Sequence, residues 1–257
     1  MRRALAAEWI KLRSVRSTYW TLAGVPAAVV IAALLALHAS SLYDGASAEA
    51  KANAVVSPLE TVAAMIAQLC LAVLGVRSIT AEHATGMLRT TFTAMPRRGA
   101  VLAAKAVLIG ATGLVAGLAT LFPAYFLSRW IAGDRPLVFN ESTLSQDLPS
   151  LLAGASLVAL FALVGLGLGA VLRNAATALG AIFALWYVLP MIALNLPAPW
   201  GPRLGAVMLA NLAFQLSGDP PYPGALMLSP WIAAAAMFLY GAAALTAAAL
   251  ALTRRAP

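Results

Sequence analysis

The sequence that decides the fold is SLLAGASLVALFALVGLGLGAVL, residues 150–172. It contains no Asp, Glu, Lys or Arg, and its only polar side chains are two serines. A helix rises about 1.5 Å per residue, so this stretch is long enough to cross the roughly 30 Å hydrocarbon core of a bilayer. Helices in soluble proteins are rarely apolar on every side over such a length. The stretch therefore predicts a transmembrane helix.

Five other stretches have the same character. They are residues 19–38, 56–76, 100–127, 174–195 and 231–252. The chain as a whole is 62% hydrophobic and only 10% charged, which leaves no room for a second, water-soluble domain. The sequence predicts an all-α polytopic membrane protein in which residues 1–257 form one membrane domain with six spans.

The basic residues predict how the spans are oriented, because Lys and Arg near span ends are retained on the cytoplasmic side during insertion. With the N-terminus inside, only Lys51, Arg129, Arg135 and Arg203 of the seventeen Lys and Arg lie outside. Seven of the nine acidic residues also lie outside. Both termini are predicted to be cytoplasmic, at the cell membrane. The net charge of +8 is then a topology signal, and no nucleic-acid partner is expected.

The first span has an alternative interpretation as a cleaved signal peptide, because Ala46-Ser47-Ala48 has the form of a cleavage site. However, its apolar run begins only at residue 19 and is longer than the apolar region of a signal peptide. The single cysteine, Cys70, lies within span two and excludes an intrachain disulfide. We predict that it is a buried, inert thiol.

Residues 3–17, before the first span, are predicted to form an amphipathic interfacial helix. Leu5, Trp9 and Leu12 lie in one arc of this helix, with Lys11 and Ser14 opposite. That pattern is typical of a helix lying in the headgroup layer. A merely basic tail is the alternative.

Residues 196–230 are predicted to form a half-span or hairpin on the outer side. The segment opens with three prolines, and its apolar run at 204–216 is too short to cross a bilayer. Irregular backbone at membrane depth is tolerated where protein or water satisfies it.

The segment that joins spans two and three is RSITAEHATGMLRTT, residues 77–91. Wound as a helix, it places Ser78, Glu82, Thr85 and Arg89 on one side and alanines and a leucine on the other. We predict a cytoplasmic helix over residues 78–91, ended before Pro96. Its Glu82 and Arg89 can pair with each other or with another protein, and a simple solvated face is the alternative.

This segment resembles a known family. Residues 79–83 (ITAEH) with Thr85-Gly86, then 88–91 (LRTT), 96–98 (PRR) and Ala104-Lys105, are similar to the segment between the second and third helices of ABC transporter type-2 permeases, particularly small bacterial ones. Residues 8–14 (EWIKLRS) look like that family's amphipathic entry helix. The six-span layout with a long penultimate outer loop matches over the whole chain.

The resemblance implies a permease subunit of an ATP-driven exporter that acts as a homodimer or with a similar permease. It also implies separate ATP-binding subunits that carry ATP and Mg, and a coupling segment that passes their closing motion to the spans. The residues of the coupling segment would be Glu82, His83, Thr85, Gly86, Leu88 and Arg89. The cargo does not follow from the resemblance.

The sequence itself also predicts that ATP is hydrolysed by another subunit. The chain has no Gly-x-x-x-x-Gly-Lys-[Ser/Thr] loop to bind phosphates. The glycine-rich run at 165–170 lies inside an apolar span, without the strand that a dinucleotide site requires. We interpret Gly165 with Gly169, and Gly113 with Gly117, as small-x-x-x-small faces that let another helix approach closely. Packing within the chain and packing between subunits both remain open.

The sequence predicts no metal ligands and no catalytic residues. Glu82 and His83 are adjacent and point about 100° apart on a helix, so they do not chelate one metal together. Glu60 and Lys105 lie near span ends, where we expect them to reach water, and the central layers then hold no acid or base for ion coupling. Energy supplied by a partner protein is therefore a simpler hypothesis than coupling to an ion gradient.

The same absence of central charge favours an apolar or amphipathic cargo that enters from the inner leaflet. Polar and aromatic residues that could line such a path, or serve in ordinary packing, are Gln68, Thr112, Thr120, Trp186 and Tyr187. A non-transporting membrane scaffold or assembly factor that docks a soluble partner is the alternative function. A lipid-modifying enzyme would need polar catalytic groups that the sequence does not show.

Overall fold

A computed structural model describes residues 2–52, 58–94, 98–140, 142–218, 220 and 225–254. All regular structure in these residues is helical. Six helical stretches are long and apolar enough to cross a membrane, which confirms the predicted all-α class and agrees with a six-span, multi-pass membrane protein. In chain order they are Arg16–Gly45, Leu59–Ala84, Arg98–Ala132, Leu144–Leu172, Ala175–Leu194 and Pro230–Thr253.

The described residues contain thirteen α-helices. They are α1 (Arg2–Ser14), α2 (Arg16–Leu22), α3 (Gly24–Gly45), α4 (Ala48–Ala52), α5 (Leu59–Ala84), α6 (Met87–Ala94), α7 (Arg98–Ala132), α8 (Leu144–Leu172), α9 (Ala175–Phe183), α10 (Leu189–Leu194), α11 (Trp200–Val207), α12 (Leu212–Ser217) and α13 (Pro230–Arg254). Two pairs, α2 with α3 and α9 with α10, each share one span. A π-helical turn, Ala184–Val188, joins α9 to α10.

Spans two to four extend further than their apolar runs. Helix α5 continues to Ala84, beyond the predicted end at residue 76, and α7 continues to Ala132. Helix α8 begins at Leu144, where Thr143 and Gln146 form a reciprocal capping box. A hydropathy pattern ends at the first charged residues, whereas the backbone hydrogen bonds of a helix continue through them. The predicted start of span two, at residue 56, lies outside the described residues.

Helix α8 lies at the centre of the bundle. It packs against α5, α7, α12 and α13, and α5 also packs against α7. In the most apolar part of span four, 67% of the residues are buried inside the bundle. The corresponding fraction is only 17% in spans one and five. The bundle therefore has a core of spans two, three and four, with spans one and five at its edges. Cys70, on α5 beside Gly24, is half-buried rather than fully buried as predicted.

The N-terminal segment is divided, which corrects the single helix predicted over residues 3–17. The backbone is extended at Val15, where α1 ends and α2 leads directly into span one. The buried face of α1 carries Ala4 and Glu8, whereas Trp9, predicted in the apolar arc, is 47% exposed. Two other residues of that arc, Leu5 and Leu12, are half-buried. Contact with α7, rather than helical periodicity alone, sets the orientation of α1.

The described part of residues 196–230 contains two short α-helices, α11 and α12, in place of a span. Helix α12 packs against α8 and α13. The fully buried Gln215 donates from its amide to the Leu226 carbonyl at 2.9 Å and accepts from the Leu228 N–H at 2.6 Å. This side chain satisfies two backbone groups of residues 225–229, which form no helix or strand. The segment is thereby fixed to the bundle before span six begins.

Candidate functional site

Four charged side chains meet at the end of the bundle where α1 lies, which we call the N-terminal side. We refer to Glu8, Lys11, Glu82 and Lys105 as the charge cluster. The Lys105 ammonium donates to Glu8 at 2.5 Å, to Glu82 at 3.0 Å and to the Ser78 carbonyl at 2.9 Å. The Lys11 ammonium donates to Glu8 at 2.8 Å and to Glu82 at 2.9 Å. The cluster joins α1, α5 and α7 with two acids and two bases.

The cluster is largely removed from solvent. The side chains of Glu8, Glu82 and Lys105 are at most 5% exposed, and that of Lys11 is 26% exposed. Burial lowers the pKa of Lys11, but hydrogen bonds from its ammonium to Glu8 and Glu82 outweigh that effect and raise the pKa above its ordinary value. The stabilisation from Lys11 is therefore present at neutral pH and is lost only as the pH rises through the raised pKa.

The position of Glu82 corrects the sequence interpretation in two respects. Residues 78–91 do not form one helix, because α5 runs to Ala84 and a turn at Thr85 and Gly86 separates it from α6. Glu82 lies in the last turn of this long helix and is buried against α1 and α7, rather than presented on an open polar face. One of its oxygens, Oε2, has no hydrogen-bond partner in the described part of the chain.

Gly86 allows the chain to turn between α5 and α6. Its φ of +70° lies in the left-handed region that favours glycine, and its N–H donates to the His83 carbonyl at 3.3 Å. Helix α6 then begins at Met87, which is 40% exposed and lines a cavity of about 130 Å³ shared with Glu82 and Lys105. A short helix is thus placed directly beside the charge cluster.

The remaining residues of the predicted coupling segment lie before, within and after this turn. His83 is half-buried, and its Nδ1 lies 3.0 Å from the Ile79 carbonyl. Thr85 is exposed and donates to the Ala81 carbonyl at 2.9 Å. Leu88 and Arg89 belong to α6, but their side chains lie outside the described part of the structure. A pairing of Glu82 with Arg89 therefore stays a prediction.

A second charged cluster lies at the opposite end of α5 and α7. Arg129 donates to Glu60 at 3.4 Å, to Ser142 at 3.3 Å and to Asp147 at 2.8 Å. Its guanidinium lies 3.4 Å from the centroid of the Tyr125 ring. This Arg129 cluster joins the start of α5, the end of α7 and the start of α8.

The two clusters fix α5 to α7 at both ends. Glu60 and Glu82 are 22 residues apart on α5, a length of about 33 Å along the helix axis. That distance matches the roughly 30 Å hydrocarbon core of a bilayer. Glu60 and Lys105 do not reach water as expected, because both are buried in these ion pairs. Breaking such a buried pair leaves an uncompensated charge, so each cluster opposes a displacement of α5 against α7.

The four glycines predicted to pack helices all lie in contacts within the chain. An added Cβ at Gly113 or Gly117 would lie 2.7 or 2.8 Å from a Cα atom of α8, and one at Gly169 would lie 2.9 Å from Ile79 of α5. An added Cβ at Gly165 would lie within 3.0 Å of the Ala72 carbonyl of α5. The two glycine pairs serve the close approach of α7 to α8 and of α5 to α8.

The residues predicted to line a cargo path do not share one surface in the described structure. Gln68 and Thr120 are buried in the bundle, whereas Thr112 lines a groove between α1 and α7. Trp186 packs edge-on against Phe161 with ring centroids 6.5 Å apart. The exposed Tyr187 stacks on Phe183. These aromatic contacts favour the alternative of ordinary packing for span five.

Sequence reasoning missed that Glu8, Lys11 and Lys105 belong with Glu82. A weak signal was available, because two acids and a lysine near span ends would otherwise be buried alone at high cost. The partners are far apart in sequence, since Glu8 and Lys105 are separated by 97 positions. Comparison with known protein families gives no match to this chain, and comparison with curated proteins gives none either.

Proposed function

We propose that this chain is the transmembrane permease subunit of an ATP-driven ABC exporter, which forms the translocation path as a dimer with a second permease. Separate ATP-binding subunits would carry ATP and Mg on the N-terminal side, taken as the cytoplasmic side. The resemblance of residues 79–105 to type-2 permeases supports this function. The observation that carries it is the position of α6 beside the charge cluster.

The charge cluster gives α6 a connection to three parts of the bundle. A partner that contacts α6 at Met87 or Thr90 acts on a helix only a two-residue turn away from α5. Because Glu82 near the end of α5 is paired with Lys11 of α1 and Lys105 of α7, a displacement of α5 cannot leave these helices unaffected. A partner shifts the spans only if it binds one of their arrangements more tightly than another.

The experiment purifies the chain from its native membrane and measures ATP hydrolysis by the proteins retained with it. Thr90→Trp adds bulk to an exposed hydroxyl that donates to the Met87 carbonyl three residues earlier. We expect this change to lower the retained ATP hydrolysis about tenfold, as for a residue at the centre of an interface. The insertion of the chain should not change, because the side chain is exposed.

The matched control is Ser41→Trp on α3, where an exposed hydroxyl also donates to a carbonyl three residues earlier. Ser41 lies on the opposite side of the bundle, and the control should retain ATP hydrolysis within about twofold. Equal retention by both variants would contradict docking on α6. If the unaltered chain retains no ATP-hydrolysing protein but retains an unrelated soluble enzyme, the scaffold function is favoured instead.

A further inference from the structure

A groove of about 440 Å³ lies on the N-terminal side between α1, α2, the start of α3, and α7. Its size is within the roughly 300–1,000 Å³ range of small-molecule sites. The floor and walls are mainly apolar. They are formed by Leu12, Leu22, Val25, Leu108, Ala111 and Val115. The groove opens on the outer surface of spans one and three, where Val115 is 65% exposed.

At the end of the groove where α1 and α2 meet, the lining changes from aliphatic side chains to aromatic and basic ones. Trp9 and Tyr19 line this end and are 47% and 58% exposed. Arg13 also lines it, with its guanidinium 5.9 Å from the centroid of the Trp9 ring, and Arg16 is exposed nearby in the chain. Neither arginine forms an ion pair with an acid among the described residues. Aromatic and basic side chains together are typical of the headgroup level of a membrane.

We propose that this groove binds one diacyl phospholipid with an anionic headgroup, taken from the leaflet on the N-terminal side. An acyl chain lies along the apolar walls between α3 and α7, and the phosphate lies beside Arg13, while the exposed Arg16, three residues further along the chain, adds positive charge near this end. The two guanidinium groups select anionic headgroups, because each attracts the negatively charged phosphate. In a zwitterionic headgroup, the positive group of the lipid largely cancels this attraction. This proposal depends on the membrane location of the chain and not on an ATP-binding partner.

The bound phospholipid would rest against α1, which carries Glu8 and Lys11 on its other side. Glu8 is buried against α7 whereas Trp9 faces the groove, so one helix separates the lipid from the charge cluster. Leu12 lines both the groove and the cavity beside Glu82. The lipid therefore completes the packing of α1 on the bundle at the place where the protein alone leaves a gap.

To test this, the purified full chain is incubated with equal amounts of palmitoyl-oleoyl phosphatidylglycerol and phosphatidylcholine. The lipids that remain bound are then counted by native mass spectrometry. The unaltered chain should retain one phosphatidylglycerol in preference to phosphatidylcholine. Arg13→Gln and Arg16→Gln should each lower that preference about fivefold. Arg203→Gln removes the same charge from an exposed position on α11 at the opposite side and should leave the preference unchanged.

A second variant tests the acyl-chain part of the site. Ala111→Trp fills the groove from an exposed position on α7 and should abolish retention of this lipid whatever its headgroup. If Ala111→Trp does not fold, the same measurement is made on Val115→Trp, which lies on the same wall of the groove. Unchanged preference after both arginine substitutions, or undiminished retention after the groove is filled, would overturn the proposal.

Discussion

Replacing Lys105 by methionine is expected to lower the free energy of unfolding by about 3–5 kcal/mol, the usual effect of removing one partner from a buried ion pair. Methionine fits the volume of the lysine stem but cannot donate to Glu8, Glu82 or the Ser78 carbonyl. Two buried carboxylates are then left with Lys11 alone. The loss should be measured by equilibrium unfolding in mixed micelles, followed by helical circular dichroism.

The double variant Glu82→Gln with Lys105→Met distinguishes a charge effect from a packing effect. It removes one acid and one base, so Glu8 and Lys11 remain as a balanced pair. We expect it to recover at least about 1 kcal/mol of the stability lost in the lysine variant, because residues of one network couple strongly. A purely steric defect at position 105 would show no recovery.

Lys51→Met serves as the control for the lysine substitution. Lys51 is half-buried and contacts the Tyr43 ring at 5.3 Å from its centroid, without an ion pair in the described residues. Its replacement should change the unfolding free energy by less than about 1 kcal/mol. If both lysine variants lose the same stability, the charge cluster does not hold the three helices together.

Much of the fold could be predicted from the sequence because each span is apolar by itself over a length that only a bilayer requires. The glycine pairs Gly113 with Gly117 and Gly165 with Gly169 could also be recognised, since their spacing places both members on one helix face. Which helix they face could not be predicted. That depends on the order of the spans around α8, which no local pattern encodes.

The charge cluster could not be predicted because its members come from three separate parts of the chain. Glu82 was interpreted within residues 78–91 alone, where a helical projection shows one polar face. In the structure that residue continues span two, and its surroundings are set by α1 and α7. Gly86 was the available local signal for the helix end, since glycine in the left-handed region commonly follows a helix.

Gly75 was also missed, because the residues four positions before and after it on α5, Leu71 and Ile79, are large and form no small-x-x-x-small pair with it. It lies where α5 crosses α8, and an added Cβ would lie within 3.0 Å of both the Ala162 carbonyl oxygen and the Leu166 nitrogen. Gly165 of α8 faces Ala72 of α5 at the same crossing. The backbones of the two central spans are therefore in contact with no side chain between them.

Gly75→Ala is accordingly expected to destabilise the bundle by about 3 kcal/mol, the upper end of the usual cost of overpacking. The neighbouring atoms belong to backbone, so they cannot move aside as a flexible side chain would. The two helices must separate, which also loosens the core cluster to which Val76 and Phe161 belong. The measurement is again equilibrium unfolding in mixed micelles.

Gly180→Ala is the matched control, because Gly180 lies within helix α9 and an added Cβ there would meet no atom within 4 Å. Alanine favours the helix over glycine by about 0.5–1 kcal/mol, so this variant should be slightly more stable than the unaltered chain. The two substitutions add the same methyl group and therefore separate helix propensity from helix contact. If Gly75→Ala were as stable as Gly180→Ala, spans two and four could not cross as closely as the structure places them.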